Sequence, residues 1–565
     1  MNGCFRGIIP KWVLTILEAC MENNKKWWKE GVVYQIYPRS FQDTNGDGIG
    51  DLQGIIAHLD DLLDLGIGTI WISPVYKSPN IDNGYDISDY RGIHPDFGTM
   101  ADMDQLIEEA SKRHIKIIMD LVINHTSDEH PWFRASRDPE SPYRSYYYWR
   151  EGINGKAPNN WTSFFAEECW EFDAQSNAYY LHLFAKKQPD LNYHNPKVLE
   201  EIKEIMRFWL NKGIGGFRCD VINIIYKTSL ENGKKKMILT GSEHYISQEG
   251  THAILRSLRR DVLNGFDCFT VGETVFVTPE MGRALCDESR EELDMIFSFE
   301  HMETDQFIVK WFKRAFSAER FVRTIARWQN ALEWHANYLE NHDQPRSVSR
   351  FGDVKHYWSE SAKMLATLLL TLRGTPFLYQ GQEIGMTNFD FNSMDELRDI
   401  ESFNIDKMAK KMFIPKKIRL KMMRSTSRDN ARTPYQWNLE RNAGFTTGTP
   451  WINVNKNYVK INYLSQKEQS KSILNFYKKA IKIRKENDVL IYGSFKALRT
   501  SGNVFIYQRK LQESLATVIL NFGTRTHTVN KTGKIILSNY DKSYFNGILM
   551  PYEAVVFIDQ IVIKS

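Results

Sequence analysis

The chain has 565 residues, and its 73 Lys and Arg against 69 Asp and Glu leave a formal net charge of only +4. That length calls for a large core domain with one or two smaller attachments, and basic residues scattered rather than massed in a stripe argue against a nucleic-acid partner. No stretch approaches the roughly 20 apolar residues of a membrane span, so no membrane partner is expected.

At the N-terminus, Arg6 and Lys11 precede an apolar run of six residues, 12–17. This is too short for an export signal, and Met21 opens a polar stretch that reads as a second start, so residues 1–20 are expected to be an extension without structure of their own. Cys4, Cys20, Cys169, Cys219, Cys268 and Cys286 form no CxxC pair and no regular spacing, which points to neither zinc nor disulfides and to a reducing, cytoplasmic compartment.

Eight apolar, β-rich runs follow: 32–37, 68–73, 115–123, 216–221, 266–271, 295–299, 337–339 and 375–379. Amphipathic helical patterns such as 101–113 and 196–212 lie between them. Strands alternating with helices build right-handed βαβ units, and eight units close a (β/α)8 TIM barrel, an α/β fold. The stretch between the third and fourth runs, rich in Asn, Trp, Tyr and Pro, is too long for a bare loop. It is expected to be a small inserted domain over 126–193, dividing the barrel into 21–125 and 194–488. Short alternating runs at 504–508, 516–521 and 554–558 predict a C-terminal antiparallel β-domain over 489–565.

Polar residues gather where these runs end, the place barrel enzymes keep their sites. Asp120 and Asn124-His125 end the third, Arg218-Cys219-Asp220 the fourth, Glu273 the fifth and Asn341-His342-Asp343 the seventh. One such residue is as easily a cap or a turn. Carboxylates from three separate strands at one barrel end repel one another, and a sugar acquiring positive charge gives them a reason to be there.

The motifs QIYPRSFQDTNGDGIGDL, DNGYDISDY, DLVINHTSDEH, QPDLNY, GFRCDVIN, TVGET, ENHDQPRSVSRFG, GTPFLYQGQEIGMTN and SRDNARTPYQW, in this order, resemble those of glycoside hydrolase family 13, the α-amylase family, in the branch of oligo-1,6-glucosidases and α-glucosidases. The likeness runs from about residue 27 to the C-terminus. It implies a retaining α-glucosidase that removes terminal non-reducing glucose from short oligosaccharides, with Asp220 as nucleophile, Glu273 as general acid and base, and Asp343 as the third carboxylate. Asp82, Tyr85, His125, Arg218, His342 and Arg432 are implied to line the glucose pocket. In the resembled branch, a Val where Val221 stands goes with preference for α-1,6 linkages; we expect it to follow the nucleophile on the same strand. Arg218, two residues before Asp220, is expected to face the same side and keep that carboxylate ionised, whereas Glu273 must start protonated. Cys219 and Tyr193 depart from what close relatives usually carry.

Asp43, Asn45, Asp47, Ile49 and Asp51 are spaced like the first nine positions of an EF-hand loop, with Gly48 at the turn and Gly54 in place of the closing Glu. The resemblance implies one structural calcium or magnesium ion here and no organic cofactor. An ion-free Asn/Asp/Gly turn is the competing reading. Among substrates, a phosphate-binding role for Lys234-Lys235-Lys236, in the segment 227–250, would make trehalose-6-phosphate the substrate, and a sucrose-acting enzyme is the other rival. The Arg-Leu-Asp-Arg-Asp signature of sucrose isomerases is absent between residues 300 and 334. Non-catalytic transporter subunits of similar sequence have an anchor and lack the carboxylates, the reverse of this chain. The expected partner is a small oligosaccharide, and the expected state a monomer or weak homo-oligomer.

Overall fold

Eight short parallel strands, each buried along its whole length or nearly so, form the centre of the molecule. They are β1 (Val33–Ile36), β2 (Thr69–Ile72), β3 (Lys116–Leu121), β4 (Gly216–Cys219), β5 (Phe269–Glu273), β6 (Met295–Phe297), β7 (Ala336–Asn337) and β8 (Thr375–Tyr379). The computed structural model describes residues 25–561 apart from 166, 237 and 308, so the expected extension at 1–20 lies outside the described residues. Ladders run in the order β6-β5-β4-β3-β2-β1-β8-β7, which leaves one seam. Side chains bridge that seam: the Tyr338 hydroxyl donates to the Ser298 carbonyl at 3.2 Å, and its ring meets Phe297 edge-on at 5.1 Å. Such strands read as continuous apolar runs because both faces are covered.

The surrounding helices start where the sequence provides caps. In α1 (Met100–Lys112), Thr99 and Asp102 form a reciprocal capping box; α2 (Pro196–Asn211) has Asn195 as its cap and Pro196 in the first turn, where no N–H is needed. Further along come α3 (Trp358–Thr371), the helical hairpin α4 (Ile400–Lys411) and α5 (Lys416–Thr426), and α6 (Ile473–Lys485). Gly216 opens β4 at φ 137°, and a Cβ there would stand 1.9 Å from the Phe269 carbonyl oxygen, so only glycine lets β4 and β5 approach this closely.

Between β3 and β4 the chain forms a three-stranded antiparallel sheet with Ala178–Leu181 in the middle, flanked by Trp149–Arg150 and Trp170–Asp173. Its core includes Trp161, Trp170, Leu181 and Leu183, and is completed by Val221, Ile224 and Tyr245 from the segment after β4. Lys227 fastens its root to the barrel. This side chain is fully buried, pairs with Asp190 at 2.6 Å and donates to Asn124 at 2.8 Å. After α6 comes an antiparallel sheet of β9 (Ser494–Ser501), β10 (Val504–Leu511), β11 (Ser514–Asn521), β12 (Leu537–Ser538) and β13 (Ala554–Gln560), ordered β9-β10-β11-β13-β12.

Arg509 of β10 joins this sheet to the barrel. Its Nε donates to the Gly493 carbonyl at 2.9 Å, Nη1 to Thr371 at 2.7 Å and Leu490 at 2.9 Å, and Nη2 to Ile491 at 2.9 Å and Gly493 at 2.7 Å. All five N–H donors of a fully buried guanidinium are used on carbonyls at the end of α3 and in the turn before β9. Replacing Arg509 by Met strands the Thr371, Ile491 and Gly493 carbonyls, Leu490 keeping its bond from Arg484, and should cost about 3 kcal/mol or more, since each unpaired buried acceptor costs about 1 to 3 kcal/mol. Lysine cannot reproduce the fork. Thermal unfolding is expected to show both Arg509→Met and Arg509→Lys melting well below the parent; a parent-like melting temperature in Arg509→Lys would show that the charge alone matters.

Candidate active site

The parallel register sets the site. Asp120 of β3 and Val271 of β5 both pair with Arg218 of β4, so the three residues share one level of the barrel. Two residues further along their strands, Asp220 and Glu273 form the next level on the same inward face. Asp220 lies just past the last residue of β4, held there by its N–H donating to the Leu121 carbonyl at 3.0 Å.

Arg218 is the cation that all three carboxylates share, and it is 2% exposed. Its Nη1 donates to Asp120 Oδ1 at 2.5 Å and Asp220 Oδ1 at 2.6 Å, while its Nη2 donates to Glu273 Oε2. The other Asp120 oxygen accepts from Trp71 Nε1 at 2.7 Å. One positive charge cannot neutralise three buried carboxylates, so protons are retained. Burial, against the opposing pull of Arg218, pushes Glu273 up to about 7, and the nearby Asp220 and Asp343 add to the rise. Asp220 is pushed up to about 6 by burial, against Arg218 and with help from Asp120. Arg218 was expected to keep Asp220 ionised; because the guanidinium is shared three ways, desolvation outweighs its share, and Asp220 ionises only as pH passes about 6.

Asp343 shows the opposite balance. Burial raises its pKa, but His342, Arg428 and Arg432 together hold it well below the usual carboxylate range. Arg432 Nη2 donates to Asp343 Oδ1 at 2.8 Å, Arg428 Nη1 to the same oxygen at 3.3 Å, and His342 Nε2 stands 3.2 Å from Oδ2. Arg428 also reaches Asp82 Oδ1 at 3.2 Å and is anchored on Asp399 at 2.7 and 2.9 Å. His342 stacks on Tyr85 with ring centres 5.3 Å apart, and Gln35 Nε2 lies 2.7 Å from its Nδ1. His125 Nε2 is 3.1 Å from both the Tyr85 carbonyl and Gln188 Nε2, and burial lowers its pKa. A single pocket collects Asp82, Tyr85, His125, Asp220, Val221, Glu273 and Asp343, with Phe165 and Phe184 of the inserted domain as one wall.

Val221 stands in that pocket but not on the strand: β4 ends at Cys219, and Val221 adopts φ 36°, ψ 40° ahead of a short 3-10 turn, Ile222–Ile224. The expectation of a strand residue is corrected, because the chain must turn sharply once Asp220 is placed. A β-branched residue is a genuine outlier in this left-handed region, and packing overrides the cost: Val221 is buried against the core of the inserted domain.

The residues Asp43 to Asp51 form a tight loop. Asp43 Oδ1 accepts from the N–H groups of Asn45 at 3.0 Å and Gly46 at 2.8 Å, and its Oδ2 from Gly48 at 2.8 Å. Asn45 and Asp47 each cap the N–H two residues ahead, at 2.9 and 2.8 Å. Among the described residues no three His, Cys, Asp or Glu side chains are gathered as around an ion, and no Lys or Arg pairs with Asp43, Asp47 or Asp51. As for the lysine run, Lys236 pairs with Glu243 at 2.8 Å, Lys234 and Lys235 are exposed, and among the described residues no lysine lines the pocket.

Sequence reasoning passed over Arg428, Asp399, Gln188, Phe165 and Phe184. Arg428 could have been found, since it precedes Arg432 by four residues in SRDNARTPYQW, a helical spacing that puts both guanidinium groups on one face. The two phenylalanines carry no local signal; only the docking of the inserted domain brings them to the pocket.

An eight-strand parallel barrel, closed but for one seam, with buried carboxylates around one arginine at the C-terminal ends of its strands defines a TIM-barrel glycoside hydrolase. The chain belongs to the α-amylase family, glycoside hydrolase family 13: residues 35–493 match the family described as "Alpha amylase, catalytic domain". An oligo-1,6-glucosidase of Parageobacillus thermoglucosidasius is 50% identical over 554 residues, covering 94% of this chain and 98% of that one. An α-glucosidase of Pediococcus pentosaceus is 45% identical over 551 residues, covering 94% and 99%. Among solved structures, the trehalose-6-phosphate hydrolase of Bacillus licheniformis is similar with a TM-score of 0.90, 41% identity and coverage of 94% and 100%.

Proposed function

We propose that the protein is a retaining α-glucosidase acting on the non-reducing end of short oligosaccharides and preferring α-1,6 links such as that of isomaltose. The observation that carries the reading is the Arg218 fork, whose two nitrogens hold Asp220 and Glu273 together. Two carboxyl groups on one guanidinium are too close for the intervening water of an inverting enzyme and suit the roughly 5 to 5.5 Å of a retaining pair. Asp220 attacks the anomeric carbon as the glycosidic bond breaks, and the Glu273 proton passes to the departing oxygen. Glu273, now ionised, takes a proton from water, which displaces Asp220 with the α configuration restored. Asp343, kept ionised by Arg428 and Arg432 with His342 beside it, accepts hydrogen bonds from glucose hydroxyls, with Asp82, His125, His342, Arg428 and Arg432 completing the grip. The names of the relatives that are 47 to 50% identical, all oligo-1,6-glucosidases, support the linkage, and the absence, among the described residues, of lysine from the pocket gives no support to a phosphorylated substrate.

Cytoplasmic residence belongs to the same proposal, supported by four described cysteines that are all unpaired and by the absence, among the described residues, of a helix able to cross a membrane. So does a calcium or magnesium ion in the 43–51 loop. Its donors would be the oxygens of Asp43, Asn45, Asp47 and Asp51 and the Ile49 carbonyl, an all-oxygen set suited to a hard cation, and the loop's three acids have no basic partner among the described residues. The ion would brace the loop, none of whose residues lines the pocket.

The pH dependence follows from the two carboxyl groups. The reaction needs Asp220 ionised and Glu273 protonated, so kcat/KM for isomaltose should rise as pH climbs through about 6 and fall as it passes about 7; the limbs belong to the coupled pair. In Glu273→Gln, activity should survive only on an aryl α-glucoside with a good leaving group, without the alkaline limb. An unchanged alkaline limb in that variant, or β-glucose as the first product by proton NMR, would overturn the assignment.

Val221→Thr is nearly isosteric but adds a hydroxyl beside the second sugar. Pocket discrimination of this kind is worth about 10- to 200-fold, and the ratio of kcat/KM for isomaltose over maltose should fall by about tenfold. An unchanged ratio with a lowered melting temperature would instead make Val221 a packing residue.

For the loop, chelation should lower the melting temperature, and calcium or magnesium should restore it in the parent but not in Asp47→Ala, because only the folded state holds the ion. A parent indifferent to chelation and re-addition would favour the ion-free turn.

A further inference from the structure

Between Asp399 and Arg428, both beside the pocket, the chain runs out and back as the hairpin α4–α5, whose tip the hydrolytic reading does not use. From residue 402 to 426 it carries eight Lys and Arg against one acid, Asp406. Arg419 takes Asp406 at 2.7 Å and Arg424 pairs with Asp390 at 2.9 Å. The remaining six, Lys407, Lys410, Lys411, Lys416, Lys417 and Lys421, are exposed and have no acidic partner among the described residues.

The tip itself reads Lys-Lys-Met-Phe-Ile-Pro-Lys-Lys-Ile over 410–418, an apolar centre bracketed by lysine pairs. Phe413 is 93% exposed, Met412 59% and Ile418 52%. Phe413 also sits at φ 59°, ending α4 in the left-handed region where Gly or Asn would be easier. A bulky ring held there gains nothing from packing, so the fold alone does not account for it. The opposite side of the hairpin is well fixed, with Met423 buried and Ile405, Leu420 and Met422 packed against a cluster containing Trp311, Phe389 and Phe391. The apolar and basic groups are therefore presented on a firm base.

We propose that this tip is a peripheral docking site for bilayers rich in anionic lipid, with Phe413 and Met412 entering the boundary between headgroups and acyl chains and the lysines meeting lipid phosphates. An apolar element with a lysine-rich surround is the combination that binds such interfaces, and charge complementarity selects this occupant over a second copy of the chain, which would bring six more unpaired lysines to the same place. A membrane-spanning helix is not needed. Twelve residues of α4 separate the tip from the pocket wall by about 18 Å, so docking leaves the chemistry untouched.

The test is co-sedimentation of the full chain with vesicles of phosphatidylcholine alone and of phosphatidylcholine with an equal part of phosphatidylglycerol. Binding is expected to the second only, and to fade as salt is raised. Each lysine at such a surface is worth about fivefold in partitioning, so reversing Lys410, Lys411, Lys416 and Lys417 to Glu should weaken binding by at least about 100-fold, and Phe413→Ser should weaken it while the salt dependence stays. Isomaltose hydrolysis at the parent rate shows that both variants are folded. Failure to bind either vesicle, equal binding to both, or a concentration-dependent dimer abolished by Phe413→Ser would each overturn the proposal.

Discussion

A single buried guanidinium, Arg218, holds the centre of this protein together, and the rest of the barrel can be understood as what is needed to put it there. It stands between Asp120, Asp220 and Glu273 with almost no access to water. Left alone, any of these groups would cost several kcal/mol to bury. Together they are still short of positive charge, and the shortfall is made up by a proton. Raising a carboxyl group from its ordinary 4.5 to about 7 means that the pocket disfavours the charged form by about 3 kcal/mol. The same imbalance that strains the site leaves an acid protonated near neutral pH, where a glycosidase needs one.

The other half of the pocket resolves its charges differently. Arg428 and Arg432 reach it from a short helix after α5, and they meet Asp343, Asp82 and Asp399 with enough positive charge to keep Asp343 ionised. Carboxyl groups with raised pKa values thus lie on one side and a fixed anion on the other, in one pocket walled by aromatic side chains. The division follows from how the guanidinium groups are shared: one serves three carboxylates around Arg218, whereas two, Arg428 and Arg432, converge on Asp343 itself.

Holding this arrangement has structural costs. Val221 adopts a backbone conformation poorly suited to a β-branched residue, and the buried Lys227 must be matched by Asp190 where the inserted domain leaves the barrel. Both lie within seven residues of Asp220. The strain is retained because the turn after β4 has to release the chain at once toward the inserted domain while Asp220 remains bonded to Leu121.

Much of this could be read directly from the sequence. Eight apolar runs separated by helical patterns define a barrel because parallel strands buried on both faces allow few other solutions, and polar residues at their ends mark the site because the C-terminal face is where such strands open. The inserted domain and the C-terminal sheet were legible from loop length and from the change of period. What the sequence could not supply was the sharing of one arginine among three carboxylates, which depends on the register of β3, β4 and β5 across about 150 residues of chain. Nor could it show that Phe165 and Phe184 wall the pocket, since nothing local distinguishes them from other aromatic residues of the inserted domain. Residue types and spacing determined which groups are available for chemistry. Their protonation, and hence which can act as acid and which as anion, was decided by tertiary structure, because a pKa depends on burial and on neighbours brought in from distant parts of the chain.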